Sequence, residues 1–340
     1  MNILVIQLCK TSDVVLSTHI PRELKKLFHD ANVDFLTFGK NRPVIKNNPY
    51  INNILTINQN DNFFKLIGAT LKVRSQKYNI ILDLQNDRCS GYITYLSGAK
   101  KRITYNQGKS SFFYNYLPDK EVGMESHIKL SLLKPLVESF NMTDFDCKPI
   151  VIPSELTVAR VRKMLKSYDI SRSDFLVIMS PTHRQPTKRW KISHFIDTAK
   201  YLTENHSAKV LLTYEAGERD YITSHIHQMP KNVFLMPELA MNNFIALIGQ
   251  AKLHIGNESA PHHLAVAQDI PTFLVIGSSN NGWVYESKKH SHTQLGLDCQ
   301  PCENGKCKTS DDIPCMSNLT FDMIKENLDA FIKTNSISTG

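Results

Sequence analysis

The sequence predicts an α/β protein with two parallel sheets. Short β-branched runs alternate with segments of helical periodicity along the whole chain, as expected for βαβ units. The runs form two consecutive series of five, and 340 residues are enough for two domains with full hydrophobic cores. Apolar residues make up 41% of the chain and charged residues 21%, which excludes a disordered or fibrous protein.

The first domain is expected at residues 1–150 and the second at residues 151–333, with a frayed tail at 334–340. Two prolines bracket the join at Pro149–Pro153. In the first domain we expect strands at Ile3–Leu8, Val33–Phe38, Ile54–Ile57, Ile80–Leu84 and Arg102–Thr104, and helices at Asp13–Phe28, Asn62–Gln76 and Arg88–Leu96. In the second we expect strands at Phe175–Ser180, Val210–Tyr214, Val233–Met236, Leu253–Gly256 and Thr272–Ile276, and helices at Ser154–Ser167, Ser193–Glu204, Glu218–Met229, Met241–Gln250 and Pro261–Gln268.

The charge balance narrows the classes of partner. Forty Lys and Arg against 32 Asp and Glu give a formal charge of +8, which favours an anionic partner. The cations are dispersed and no nucleic-acid module is present, so nucleic acid is not expected. The apolar runs fall far short of the roughly 20 residues that span a bilayer. The N-terminus lacks the features of a signal peptide, so a cytoplasmic protein is expected.

Ligands of open α/β sheets bind beyond the carboxyl ends of the strands, so a substrate is expected where the two sheets face a central cleft. The loop after the first strand, Cys9–Asp13, leads into a helix and contains no glycine, which excludes a dinucleotide fingerprint. Asp13 either caps that helix or acts as a general base on a substrate hydroxyl.

Two further carboxylates follow the fourth strand. Asp83, Gln85 and Asp87 are expected at the same edge of the sheet, where they bind an acceptor sugar. The alternative is that the carboxylates pair with nearby cations, which are Arg88, Lys100, Lys101 and Arg102.

The loop Pro181–Trp190 combines cations with hydroxyl groups. Its charged residues are His183, Arg184, Lys188 and Arg189. This chemistry suits a diphosphate, whose oxygens take both ionic contacts and hydrogen bonds. The alternative is a solvated basic loop. We expect Trp190 to pack against the following helix.

The segment Leu253–Ala265 reads as a buried strand, a short turn and a helix that Pro261 opens. The amides around Ser259 and Ala260 then form an anion site at the helix start. Glu258 is a candidate acceptor for sugar hydroxyl hydrogens. For the adjacent histidines, His262 and His263, packing or solvation on the helix is the alternative to ligand binding.

Four thiols crowd into 17 residues near the end of the chain: Cys299, Cys302, Cys307 and Cys315. Their spacing allows one tetrahedral zinc or iron site, which would be structural. Free buried thiols and labile disulfides are the alternatives.

Together these segments resemble glycosyltransferase family 9, the heptosyltransferases of lipopolysaccharide assembly, over about residues 1–330. The matching segments are Asp13-Val14, Thr18-His-Ile-Pro21, Ile81-Leu-Asp-Leu-Gln85, Leu96–Ile103, Thr187-Lys-Arg-Trp190, Gly256–Ala265 and the cysteine run Cys299–Met316. Three positions differ from the family pattern: Ser12 and Ala260 stand where glycine is usual, and Glu258 stands where aspartate is commoner.

The resemblance implies a GT-B fold of two Rossmann-like domains, with the acceptor on the first and a nucleotide-sugar on the second. It implies transfer of heptose from ADP-heptose to a lipopolysaccharide inner-core acceptor, with inversion and with no metal required for catalysis. Asp13 matches the general base, and Ser12 is expected beside the acceptor. Lys188, with Thr187 and Arg184 of its loop, is expected to bind the donor diphosphate. The turn Glu258, Ser259, Ala260 and His263 matches the donor-binding turn.

The basic charge suits peripheral contact with the cytoplasmic face of the inner membrane. Two alternatives remain: a family 9 transferase with another nucleotide-sugar or a protein acceptor such as an autotransporter, and a non-catalytic nucleotide-binding protein of the same fold.

Overall fold

A computed structural model describes residues 1–61, 63–215, 217–224, 229–285 and 287–337. The chain divides into two compact units, Met1–Ile152 and Pro153–Gly340. None of the helices within the described ranges combines the length and the apolar character needed to cross a membrane.

The first unit contains a parallel five-stranded sheet. Its strands are β1 (Asn2–Gln7), β2 (Asn32–Phe38), β3 (Ile54–Ile57), β4 (Ile80–Asp83) and β5 (Lys101–Ile103). Its helices are α1 (Thr11–Val15), α2 (Ile20–Leu27), α3 (Arg42–Ile45), α4 (Phe63–Ser75), α5 (Arg88–Leu96) and α6 (Glu125–Leu130), with 3₁₀ turns at Gly39–Asn41, Gly108–Phe113, Ser131–Leu136 and Met142–Asp144.

The strand order of this sheet is β3-β2-β1-β4-β5. Val5 of β1 lies opposite Phe35 of β2 on one side and Leu82 of β4 on the other. Helices cover both faces of a parallel sheet, so its central strands read as continuous apolar runs, and Ile3–Ile6 is completely buried. This burial explains why the strands were visible in the sequence.

The second unit contains a parallel six-stranded sheet. Its strands are β6 (Leu176–Ser180), β7 (Lys209–Leu212), β8 (Val233–Leu235), β9 (Leu253–Asn257), β10 (Thr272–Val275) and β11 (His290–Thr293). Its helices are α7 (Glu155–Ser167), α8 (Ile192–Asn205), α9 (Arg219–Thr223), α10 (Met241–Ile248), α11 (Ala260–Ala267), α12 (Pro314–Ser317) and α13 (Phe321–Thr334), with 3₁₀ turns at Pro186–Lys188 and Asn281–Trp283.

The order of this sheet is β11-β10-β9-β6-β7-β8, so the expectation of five strands in the second series was wrong. The additional strand is β11, which pairs in parallel with β10 at the sheet edge. Its sequence, His-Ser-His-Thr, has no apolar run, because an edge strand is only partly covered. The strand β11 is formed instead by backbone pairing with β10.

The expected helix Asp13–Phe28 is two helices, α1 and α2. The hydroxyl of Ser17 donates to the carbonyl oxygen of Asp13, and the hydroxyl of Thr18 donates to that of Val15. Such side-chain bonds compete with the helical ladder, and Pro21 in the first turn of α2 suits a new start.

The C-terminal helices α12 and α13 were not predicted. The tail expected to fray from residue 334 is packed as far as Ile337, which is buried in the core of the second unit. Residues 338–340 of that tail lie outside the described residues, as do Asn62 and residues 225–228 of two predicted helices.

Candidate active site

The loop between β1 and α1 is fixed by a buried asparagine. Asn41 donates from Nδ2 to the carbonyl oxygen of Cys9 at 3.0 Å and accepts from the Thr11 hydroxyl at 3.0 Å. Lys10 occupies the N-cap position of α1, and Asp13 lies in the first helical turn, half-buried. The capping alternative for Asp13 is therefore wrong, although its charge still complements the helix dipole.

A buried ammonium group lies near Asp13. The Nζ atom of Lys129, on α6, is 3.2 Å from Oε1 of Gln7. Burial lowers the pKa of Lys129, and the Asp13 charge opposes that effect. Burial and the Asp13 charge both raise the pKa of the Cys9 thiol. Asp13 thus faces a positive charge and a neutral thiol.

Gln7 connects this group to the end of β4. Its Oε1 also accepts from the Ser17 hydroxyl at 3.0 Å, and its Nε2 donates to Oε1 of Gln85 at 3.0 Å. Gln85 is half-buried, and it lies at the same edge as the Asp13 loop because β4 pairs in parallel with β1. Sequence reasoning missed Gln7 and Lys129, because neither belongs to a recognisable motif.

The two carboxylates expected to bind the acceptor have structural partners. Asp83 is completely buried; Tyr114 donates to its Oδ2 at 2.5 Å, and the amides of Gln85 and Asn86 donate to its Oδ1. Burial raises the pKa of Asp83 to about 6, although these hydrogen bonds oppose the shift. Asp87 is the N-cap of α5, where it forms a capping box with Ser90.

The Asp83 carboxylate is therefore not available to contact an acceptor, contrary to the prediction, because it is buried and accepts hydrogen bonds within the protein. Tyr114 and backbone amides hold it, so the proposed ion pairs with neighbouring cations are wrong for this residue as well. Ser12 is half-buried on α1 beside Asp13 and stays a candidate acceptor contact.

In the second unit, a side chain at the end of β9 holds the basic loop Pro181–Trp190, which follows β6. Asn257 is buried; its Oδ1 accepts from the Trp190 amide at 2.9 Å, and its Nδ2 donates to the carbonyl oxygen of Pro181 at 3.1 Å. Both ends of the loop are thereby tied to one side chain. Trp190 is buried against Phe195 of α8, as predicted.

The centre of this site is an ion pair between the loop and the turn after β9. Nζ of Lys188 lies 2.6 Å from Oε2 of Glu258, and the Ser279 hydroxyl donates to the same oxygen at 2.8 Å. Nε2 of His263 lies 3.8 Å from Oε1 of Glu258. Burial raises the pKa of Glu258, but His263 and Lys188 outweigh burial and lower it to about 2. Glu258 is therefore a buried anion that holds Lys188 in place.

The other face of Lys188 lies over an aromatic ring. Its Nζ atom is 5.7 Å from the ring centre of Trp283, and the side chain is partly exposed. An ammonium group has three N–H donors, and only one is needed for Glu258. Ser279 and Trp283 were missed at the sequence level, although both follow the β10 strand, where the carboxyl-edge rule points.

Two other loop residues expected to bind the donor have different roles. Thr187 is buried, donates to the carbonyl oxygen of Asn304 at 2.7 Å and accepts from the Ser278 hydroxyl at 3.1 Å. Thr187 therefore stabilises the loop, and its buried hydroxyl is not available to contact the donor directly, contrary to the prediction. Arg184 is 83% exposed and pairs with Glu215 at 3.0 Å on the surface, which fits the solvated alternative.

The helix start after β9 has the geometry of an anion site. Ser259 is the extended N-cap residue of α11 and makes no side-chain cap bond. Pro261 has no N–H, and the His262 amide donates to the Ser259 carbonyl oxygen. The amides of Ser259 and Ala260 are therefore the N–H groups that an anion at the positive end of this helix would meet. His262 is buried against Tyr285 at 5.6 Å, in agreement with the packing alternative.

The four clustered cysteines do not form a metal site. Within the described ranges, which include all four, no group of three or more His, Cys, Asp or Glu side chains is placed to hold a metal. The thiols are free, which also excludes the disulfide alternative in this structure. Burial, with the neighbouring thiols, raises the pKa of Cys315 to about 11. The residues as placed do not fit a structural zinc or iron.

Comparison with solved structures identifies the fold class. The glycosyl transferase family 9 structure from Veillonella parvula DSM 2008 superposes with a TM-score of 0.83 at 17% identity, covering 98% of this chain and 97% of the other. Escherichia coli ADP-heptose lps heptosyltransferase II gives a TM-score of 0.77 at 17% identity, covering 99% and 100%. The fold is of the GT-B type, with two Rossmann-like domains.

The sequence itself identifies the family. The model of glycosyltransferase family 9 (heptosyltransferase) matches residues 69–311. Lipopolysaccharide heptosyltransferase 3 of Escherichia coli is 27% identical over 288 residues, which cover 79% of this chain and 81% of that protein. The chain belongs to glycosyltransferase family 9, the heptosyltransferase family, and is an enzyme of that class.

Proposed function

We propose that this enzyme transfers heptose from ADP-heptose to an inner-core sugar of lipopolysaccharide, with inversion and without a catalytic metal. We place this reaction at the cytoplasmic face of the inner membrane. The names of the similar proteins support heptose as the transferred sugar, lipopolysaccharide as the acceptor and ADP-heptose as the donor. The observation that carries the proposal is the Lys188–Glu258 pair beside the start of α11.

In the proposed mechanism, the second unit binds the donor diphosphate. Lys188 supplies a positive charge, and the amides of Ser259 and Ala260 supply hydrogen bonds at the helix start. These groups are fixed before the reaction, so they stabilise the charge that develops on departing ADP. The methyl group of Ala260, where the family usually has glycine, limits how closely a phosphate approaches the backbone.

Glu258 has a positioning role in this proposal. Its Oε2 already accepts from Lys188 and Ser279, and the side chain is buried. Holding one N–H of Lys188 leaves the remaining ammonium donors for a phosphate. Glutamate is one methylene group longer than aspartate, which allows the Glu258 carboxylate to reach Lys188.

The proposed base is Asp13 in the first unit. It takes the proton from the acceptor hydroxyl, whose oxygen forms the new bond to the anomeric carbon of heptose. The bond from that carbon to the diphosphate oxygen breaks, and ADP leaves with the electron pair. Attack on the face opposite the leaving group inverts the anomeric configuration. The buried ammonium group of Lys129 lies near Asp13, and the Asp13 charge raises the pKa of Lys129 against the effect of burial.

The donor is tested by thermal shift with ADP, UDP, GDP and CDP at equal concentrations. A ligand at 100 times its Kd adds about 2.7 kcal/mol to the stability of the folded protein. We expect a selective ADP shift, reduced by Lys188→Ala but not by Lys191→Ala, which removes an exposed lysine three residues away. Selectivity for another nucleotide would replace ADP-heptose as the donor, and no shift with any nucleotide would contradict the donor site.

Transfer is then measured with ADP-heptose and heptose-free lipopolysaccharide acceptor. Product formation that persists in a chelator supports metal independence. Product that forms only on a protein acceptor would overturn the lipopolysaccharide assignment.

A further inference from the structure

An unusual feature of the first unit is that α4 is apolar on two sides. Leu66, Ala69 and Val73 face inward and pack against the sheet. A second stripe, Phe64, Ile67 and Leu71, points outward and is 79%, 40% and 61% exposed. The spacing of three and four residues places the outward stripe along one line of the helix. A helix that is apolar on both sides normally contacts a second apolar phase.

The neighbouring helix α5 extends this surface. α4 packs beside α5, and Nη1 of Arg74 donates to the carbonyl oxygen of Leu96 at 2.8 Å. On α5 the outward positions are Tyr92, Tyr95 and Leu96, exposed by 53%, 42% and 47%. Two adjacent helices therefore present outward apolar stripes. These stripes, together with Phe112, are called the apolar surface below.

The 3₁₀ turn Gly108–Phe113 is held against α5. The ring of Phe112, which is 72% exposed, lies 5.3 Å from that of Tyr95, and the ring of Phe113 lies 4.8 Å from that of Tyr92. A Cβ atom at Gly91 would come within 2.5 Å of the Phe113 ring, so glycine there allows the close approach. The aromatic rings are thus ordered on the protein surface.

The segments that form this apolar surface carry a net positive charge, and the flanking Asp61 pairs with one of their lysines, Lys65, at 3.5 Å. Residues 63–75 and 88–116 contain no Asp or Glu. The same two segments contain eight cationic residues, which are Lys65, Lys72, Arg74, Arg88, Lys100, Lys101, Arg102 and Lys109. The guanidinium of Arg102 lies over the ring of Tyr95, 5.6 Å from its centre. Arg102 therefore lies within the apolar surface, and exposed Lys72 and Lys100 belong to the segments that form it.

We propose that the apolar surface of α4, α5 and Phe112 docks this enzyme onto a bilayer that contains anionic phospholipids. Aliphatic and phenyl side chains enter the interface, tyrosines suit the boundary between apolar and polar layers, and Lys and Arg contact anionic headgroups. The excess of cationic over acidic residues in these segments favours this occupant over a neutral or basic protein partner. The choice of a membrane rests in part on the proposed function, whose acceptor is anchored in a lipid.

The test uses sedimentation of the full chain with phosphatidylcholine vesicles, with and without phosphatidylglycerol. Wild-type protein is expected to bind the anionic vesicles, and binding is expected to weaken with salt. The variant Phe64→Ser/Leu71→Ser/Phe112→Ser should reduce the partition coefficient at least about tenfold. The matched control Val122→Ser/Leu156→Ser/Met323→Ser removes three other exposed apolar side chains and should bind like wild type.

A second pair of variants tests the charge. Lys72→Glu/Lys100→Glu should weaken binding to anionic vesicles, whereas Lys163→Glu/Lys166→Glu on exposed α7 positions should weaken it much less. An unchanged ADP thermal shift shows that each variant is folded. Equal vesicle binding by the test and control variants would overturn the proposal. So would a concentration-dependent dimer that the triple variant abolishes, when wild type binds no vesicles.

Activity separates this inference from the proposed function. The triple variant should transfer heptose to a lipid-free acceptor oligosaccharide at the wild-type rate and more slowly to an acceptor embedded in vesicles. Vesicle binding without any transfer by wild type would contradict the proposed function and leave the docking surface standing. Equal rates of the triple variant and wild type on both acceptors would contradict a role of this surface in the reaction.

Discussion

Asp13 and Lys188 each lie near a buried side chain of opposite charge. Lys129 faces Asp13, and Glu258 holds Lys188 at 2.6 Å. The candidate side chains Asp13 and Lys188 are partly exposed, whereas Lys129 and Glu258 are buried. At the scale of single residues, Glu258 holds Lys188 by an ion pair, whereas Lys129 donates to Gln7 and interacts with Asp13 through its charge.

Replacement of Asp13 by Asn tests the general base. The amide cannot accept the acceptor proton, so kcat should fall about 10²- to 10⁴-fold, the usual contribution of general base catalysis. The ADP thermal shift should not change, because the donor groups lie in the second unit.

The matched control is Asp30→Asn, which removes the same charge from an exposed position of the first unit. Near-wild-type turnover by Asp13→Asn would exclude Asp13 as the base.

At the scale of elements, the basic loop after β6 depends on the close approach of the loop after β10. The Ser278 amide donates to the Thr187 carbonyl oxygen at 3.0 Å. A Cβ atom at Gly277 would lie 2.1 Å from that oxygen. The loop that carries Lys188 is therefore supported by a contact that only glycine allows.

The variant Gly277→Ala should lower the free energy of unfolding by about 1–3 kcal/mol, because the added methyl group forces the two loops apart. The contrasting variant is Gly68→Ala on α4, where a Cβ atom would meet nothing within 4 Å. It should raise stability by about 0.5–1 kcal/mol, since alanine favours a helix interior. Urea unfolding measures both, and effects of the same sign would refute the argument.

At the scale of the whole molecule, each unit has its own core and contains a buried carboxylate whose pKa is shifted. Glu258 in the second unit has a lowered pKa, and Asp83 in the first has a raised pKa. The two units should therefore respond to acid in opposite directions through these residues.

In the second unit, ionised Glu258 stabilises the folded state. Its pKa of about 2 lies below the ordinary 4.5, so this stabilisation is complete above pH 4.5 and is lost as the pH falls towards 2. The variant Glu258→Gln should remove that loss, measured as the difference from wild type in urea unfolding between those pH values. The control Glu326→Gln changes an exposed residue and should retain the wild-type profile.

In the first unit, Asp83 acts in the reverse sense. Its pKa of about 6 lies above the ordinary 3.8, so the folded state takes up the proton first. The free energy of unfolding should therefore fall as the pH rises from about 4 to about 6. Buried His19, whose pKa is lowered by burial, contributes the opposite slope. The difference between wild type and Asp83→Asn, followed by hydrogen exchange at β1 and β4, isolates Asp83; no difference would contradict the assignment.

The sequence predicted the central strands and the site loops well, because both depend on local patterns. Ile3–Ile6 is apolar since both faces of its strand are covered. Asp13, Lys188 and Glu258 were proposed as site residues because each follows a strand at its carboxyl end and matches a motif of the family. The edge strand β11 and the division between α1 and α2 were missed, since hydrogen bonds between distant or competing groups determine them.

By itself the sequence determined the α/β class, the family and the three principal candidate residues, because hydrophobic periodicity and short motifs are local properties. Only the tertiary structure decided which polar residues are committed elsewhere: Asp83 to Tyr114, Asp87 to its helix cap and Thr187 to Asn304. It also revealed Lys129 and Ser279 as partners of the site and the outward apolar stripes of α4 and α5. The physical reason is that burial and hydrogen-bond partners arise from segments distant in the chain, which no local pattern records.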